Sequence, residues 1–220
     1  MKYVLYSILV IVLIIGIGSL IHLYKVSNKN KTEMAKYSNE VKLTASLGKT
    51  LVIYYSLTGK TKDIATQIQS LTNADVYEIK PKEEIKSGPS IYITSKKQIS
   101  SGEYPEIIND FPNANEYDTI FVGSPIWWYT AAPVVLEFLK EFDFQNKNVV
   151  PFSTQGSNYG TYFEDFKAKA KNANILTGES FNNMDSKYNE QVKNKIINWL
   201  NGLNWVYNGN VELKFCKTKF

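Results

Sequence analysis

Thr50-Leu51-Val52-Ile53-Tyr54-Tyr55-Ser56-Leu57-Thr58-Gly59-Lys60-Thr61 is the stretch on which the reading of this chain turns. Leu51 to Tyr55 is apolar without a break, the pattern of a strand buried on both faces. It leads into a hydroxyl-rich turn at 56–61, and a helix-period segment follows over 60–71. Such a junction gathers backbone N–H groups and three hydroxyls at one helix N-terminus. Unsatisfied amides and the helix dipole favour a phosphate there. Gly59 lets the backbone approach a ligand with no side chain between. An ordinary N-capped turn has the same composition, because Ser and Thr are favoured caps. Gly59-Lys60-Thr61 mimics the end of a nucleotide-triphosphate loop, but that loop needs glycine at position 54, where this chain has Tyr54.

Downstream of Lys49, short β-rich runs alternate with longer helix-period runs. Strands are expected over residues 50–55, 75–80, 119–123, 149–153 and 174–177, and helices over 60–71, 131–142, 159–171 and 186–203. The segment 81–117 has a weak helical pattern broken by Gly88-Pro89 and Ser100-Ser101-Gly102, so a short helix and an irregular loop are expected. Strands alternating with helices imply right-handed crossovers and an α/β fold, a doubly wound five-stranded parallel sheet. In the order 2-1-3-4-5 the first and third strands flank the switch point where ligands bind.

Two further loops fall at the same carboxyl edge. One is Gly123-Ser124-Pro125-Ile126-Trp127-Trp128-Tyr129, and the other is Thr154-Gln155-Gly156-Ser157-Asn158-Tyr159-Gly160. Adjacent tryptophans in a connection can stack on a flat ring and keep water from it, or can cover the edge of the core. The glycines of the last loop leave backbone N–H groups free for polar ring edges, or make a plain turn. Together the three loops outline a planar heterocycle with one phosphate, and flavin mononucleotide (FMN) fits that outline.

The chain has 220 residues, and its net charge of +4 is carried by 25 lysines with no arginine. Scattered lysines without arginine argue against specific nucleic-acid recognition. Cys216 and His22 are the only residues of their kinds, which excludes a Ser-His-Asp site, a Cys-His pair in the domain and a Cys or His metal cluster. Residues 3–24 are apolar and uncharged, long enough as a helix to cross the roughly 30 Å hydrocarbon core. No small-x-small cleavage site ends the run, so an uncleaved single-pass anchor in the cell membrane is expected rather than a signal peptide. Lys25, Lys29, Lys31 and Lys36 follow it, a bias that places the domain on the cytoplasmic side. The expected organisation is an anchor at 1–24, a polar and in part helical linker at 25–48, one domain at 49–203 and a tail at 204–220. Tyr207-Asn208-Gly209-Asn210 suggests a small hairpin in the tail.

With these residues in place, the chain resembles the flavodoxin family, in particular a flavodoxin-like branch with a Gly-x-Pro-x-Trp-Trp loop. The resemblance covers about residues 49–203 and implies FMN as cofactor. It implies that Ser56, Thr58, Gly59, Lys60 and Thr61 hold the phosphate. Pro125, Ile126, Trp127 and Trp128 would line the isoalloxazine, and Thr154, Gln155, Gly156, Ser157, Tyr159 and Gly160 would meet its polar edge. No catalytic side chain and no metal are implied, because the flavin carries the redox chemistry. A shortage of positive charge near the ring is expected to lower its potential. Typical members are soluble and acidic, whereas this chain is mildly basic with an apolar N-terminus. The expected function is a membrane-anchored FMN protein in electron transfer or FMN-dependent reduction, as shuttle or enzyme, with a redox partner or small-molecule acceptor. A non-catalytic interaction module on the same fold is the alternative.

Overall fold

In the computed structural model, residues 2–183 and 186–203 are described. The expected tail hairpin and Cys216 lie outside them. Strand β1 (Thr50–Tyr54) is buried along its whole length. It lies between β2 (Asp75–Glu78) and β3 (Thr119–Trp127), parallel to both. Strand β4 (Thr130–Ala131) is a short antiparallel return on β3, and β5 (Asp143–Gln155) pairs parallel on the far side of β3. Strands β6 (Lys171–Ile175) and β7 (Glu179–Asn182) both pair parallel with β5. The main path β2-β1-β3-β5-β6 is the expected doubly wound order, with β5 and β6 as the fourth and fifth principal strands.

The outer position of the sheet differs from expectation in being split between β6 and β7. The break has a physical cause in β5. Pro151, between the residues paired to Ile175 and to Glu179, has no N–H for a ladder. Gly178 fills the gap on the outer side, where a Cβ would lie 2.5 Å from the Pro151 carbonyl oxygen.

Side chains alternate across the sheet, and each face is covered by helices. Leu51, Ile53, Ile120, Val122 and Val149 face one core with α4 (Pro133–Glu141) and α5 (Tyr162–Lys169). Val52, Tyr54, Phe121, Val150 and Phe152 face the other with α2 (Lys60–Thr72) and α6 (Asn189–Gly202). Helix α3 (Ser90–Ser101) is the short helix expected within 81–117, and Gly102 closes it in the left-handed conformation.

Helix α1 (Lys2–Ala35) runs past residue 24, through the first part of the expected linker. Its last turn packs on the domain. Met34 is fully buried in the second core, together with Leu47. Lys195 Nζ on α6 meets Glu33 Oε1 at 2.7 Å and Glu179 Oε1 at 3.3 Å, and donates to the Ser180 carbonyl at 2.7 Å. Glu33 Oε2 also accepts from Asn182 Nδ2 at 2.7 Å. Residues 42–45 are stitched to α6 through the Asn201 side-chain amide. The segment after Ala35 therefore lies along the domain instead of standing off it.

Candidate functional site

Three connections meet at the carboxyl edge of β1, β3 and β5. The first is the turn at residues 56–59, between β1 and α2. Gly59 takes φ 87°, a left-handed value that favours glycine, and a Cβ there would meet nothing within 4 Å. The turn is thus open on the ligand side. Gly59, at the N-cap of α2, has no side chain and makes no side-chain cap to the helix. Ser56 Oγ is buried and makes no hydrogen bond. A buried hydroxyl without a partner is costly in a folded protein, about 1–3 kcal/mol. Thr58 and Lys60 are exposed at the mouth, whereas Thr61 is buried.

The middle connection is not the expected loop. β3 continues through Trp127, and the chain reverses in a two-residue hairpin into β4, with Ile126 opposite Ala131 and Trp127 opposite Thr130. Trp128 (φ 52°) and Tyr129 (φ 68°) form the tip in left-handed conformations, the backbone such hairpins need but bulky residues resist. Neighbours hold the tip in place. The Trp128 indole N–H donates to the Tyr92 carbonyl at 3.0 Å and to Ser95 Oγ at 3.1 Å on α3. The Thr161 N–H donates to the Tyr129 carbonyl at 2.8 Å. Gly160 passes so close that a Cβ would lie 2.3 Å from that carbonyl oxygen.

The two tryptophans therefore part company. Trp127 is half-buried, edge-on to Tyr55 with ring centroids 6.1 Å apart. Trp128 is exposed and edge-on to Tyr92. Ile126 and Tyr159 pack against the first core, and Pro125 is half-buried at the end of β3.

The third connection begins inside β5. Thr154 and Gln155 are buried strand residues, and residues 156–160 make the turn. Thr154 Oγ1 and Thr61 Oγ1 lie 2.8 Å apart, joining the third connection to the first. Gln155 Nε2 donates to Ser180 Oγ at 3.0 Å, while its Oε1 is buried without a partner. Gly156 and Ser157 are exposed. All three predicted segments converge, since the Tyr55 N–H also donates to the Gly123 carbonyl at 3.1 Å.

Two ammonium groups reach these loops. Lys29 Nζ on α1 donates to the Ser157 carbonyl at 3.1 Å, and Lys96 Nζ lies 4.9 Å from the Trp128 ring centroid. Burial, with Glu78 adding to it, pushes the Tyr55 hydroxyl up to about 12, so it stays neutral in the ordinary range. Sequence reasoning missed Tyr55, Tyr92, Ser180, Asn182 and Lys29. Tyr92 sits in a segment with a weak pattern, and Lys29 in an apparent linker. Ser180-Phe181-Asn182 alternates as a half-buried strand does, a signal that could have found it. Among the described residues, no group of three or more His, Cys, Asp or Glu is placed to hold a metal.

A family model for flavodoxins matches residues 49–203. A candidate flavoprotein from Bacteroides eggerthii is 27% identical over 71% of this chain and 98% of its own, with a TM-score of 0.61. A second candidate from Bacteroides uniformis is 30% identical over 69% and 99%, with a TM-score of 0.59. A Lactobacillus acidophilus flavoprotein, solved in complex with FMN, is 28% identical over 60% and 93%, with a TM-score of 0.53. A comparison with curated proteins gives no match. The matched span contains all three connections and the whole sheet, so the chain belongs to the flavodoxin family.

Proposed function

We propose that this chain is a membrane-anchored FMN protein that serves in electron transfer or FMN-dependent reduction. The observation that carries the reading is the buried, partnerless Ser56 Oγ beside the open, left-handed Gly59 at the uncapped start of α2. Those features suit a phosphate: an unmet hydroxyl donor at a helix N-terminus and no Cβ in the way. Ser56, Thr58, Gly59, Lys60 and Thr61 would hold it. Either hydroxyl of the Thr61–Thr154 pair can donate to the other; with phosphate bound, Thr154 would donate to Thr61 and the Thr61 proton would go to a phosphate oxygen. The FMN carried by the Lactobacillus acidophilus relative supports the same group here.

Bound flavin would supply the redox chemistry, and this chain's residues would bind, orient and shield it. Pro125, Trp127 and Trp128 give the aromatic side of the crevice, with Ile126 supporting it from the core. Gln155 Oε1, a buried acceptor without a partner, suits a ring N–H. Thr154, Gly156, Ser157, Tyr159 and Gly160 complete that edge. Lys29 and Lys96 would stabilise negative charge near the ring and raise its potential, the opposite of the tuning expected from sequence. Helix α1 carries a stretch of mean hydropathy 2.4 with no buried residue in it, which supports the anchor.

The test is a titration of the cofactor-free full chain, in detergent, with FMN and with riboflavin. FMN is expected to bind at least tenfold tighter, a difference of about 1.4 kcal/mol for the phosphate contacts. Equal affinities would remove the phosphate assignment.

A further inference from the structure

An exposed apolar patch extends outward from the candidate-site edge, beyond the side of Trp128 proposed to face the ring. Tyr92 is 66% exposed, Ile93 77%, Trp128 42% and Tyr129 59%. Between α3 and the hairpin tip, Tyr92, Ile93 and Trp128 border a shallow cavity of about 380 Å³, whose wall also includes Lys96 and Lys97. The Trp128 ring is held by its two hydrogen bonds to α3 and by Lys96 over its face. Rigid aromatics and one large aliphatic beside paired lysines are the composition of a surface that enters a lipid headgroup layer. Lysines in such a place attract anionic lipid.

The course of α1 points to the same edge independently. Glu33 meets Asn182 at the end of β7, and four residues earlier Lys29 meets the Ser157 carbonyl, two residues beyond the end of β5. The helix therefore climbs along the domain and leaves it past the carboxyl edge of the sheet. Residue 24, where the apolar stretch ends, lies only about 8 Å of helix rise above Lys29. The chain after Ala35 is packed on α6 and adds no slack at this exit. The start of α3 is held to the hairpin tip beyond the carboxyl end of β3 through Trp128, so Tyr92 and Ile93 stand on the side to which α1 points.

We infer that the domain rests on the bilayer with this edge down, Tyr92, Ile93, Trp128 and Tyr129 entering the headgroup layer and Lys96 and Lys97 meeting anionic lipid. The inference rests on reading α1 as a membrane span. A domain seated this way holds the three connections of the candidate site at the membrane surface rather than out in bulk water.

The full chain is reconstituted into phosphatidylcholine vesicles with and without phosphatidylglycerol, using ordinary or brominated acyl chains. Vesicle flotation reports the anchor, and tryptophan emission reports the patch, with or without FMN bound. Brominated lipid is expected to remove the part of the emission that Trp128→Phe also removes, more completely when phosphatidylglycerol is present. Ile93→Asp, at an exposed position, is expected to restore that emission without changing flotation or far-UV circular dichroism. Lys96→Glu with Lys97→Glu should abolish the dependence on phosphatidylglycerol. Floating vesicles whose Trp128 emission ignores bromine would overturn the docking and leave the patch to a protein partner, with the anchor intact. Protein that does not float would overturn the anchor and the docking together.

Discussion

Ser56 is the residue at which folding and binding pull apart. Its hydroxyl is buried without a partner, so it contributes nothing to the folded state until a ligand meets it. Ser56→Ala is expected to leave the cofactor-free melting temperature unchanged or slightly raised, while weakening FMN. Thr58→Val and Thr61→Val should act alike on affinity. A hydrogen bond to a charged group is worth about 1.5–3 kcal/mol, so each change should weaken FMN roughly 10- to 100-fold. Calorimetric titration checks this, with riboflavin affinity expected to change far less. The tyrosines behind the turn carry a pH prediction. Burial, then Glu78, pushes both the Tyr54 and Tyr55 hydroxyls up to about 12. The unfolded chain ionises them near 10, so the stability they hold is fully present below that pH. It is lost as pH rises from about 10 to 12. Denaturation midpoints across that window should fall less steeply for Tyr55→Phe than for the native chain. The phosphate turn was legible in sequence because its residue types and their spacing are local. The partner of Thr61 was not, since Thr154 is joined to it only through the sheet.

At the level of elements, the strands with unbroken apolar runs were readable, and the positions that differ are those where long-range pairing overrides local pattern. The loop expected after residue 123 is strand and hairpin because β4 and α3 fix its tip. The fifth strand is split because Pro151 in a neighbouring strand cannot donate. The polar stretch after residue 24 read as linker because its charges look solvated. In the fold Glu33 is matched to Lys195 on α6 and Asn182 on β7. Burial alone would push the Lys195 ammonium down, but Glu179 and Glu33 outweigh it and hold it above its ordinary value. Lys195→Met should therefore leave Glu33 and Glu179 without their cation, at a cost of about 3 kcal/mol. Urea denaturation measures the loss. The double change with Glu33→Gln should recover part of it, and a protease acting at residues 36–46 should cut the single variant faster than the native chain.

For the molecule as a whole, two cores on a parallel sheet support one edge, and α1 is fastened beside that edge. Alkaline carbonate washing of membranes from expressing cells should leave the full chain in the pellet, as expected of a spanning helix and not of a peripheral contact. Flavodoxin family membership rests on the whole domain, whereas the proposed cofactor rests on the three connections at its edge. The absorption spectrum of the purified full chain, with identification of what it releases on denaturation, tests that proposal most directly. Yellow protein that releases FMN, about one per chain, is the expected result. Colourless protein that also fails to bind added FMN would contradict it.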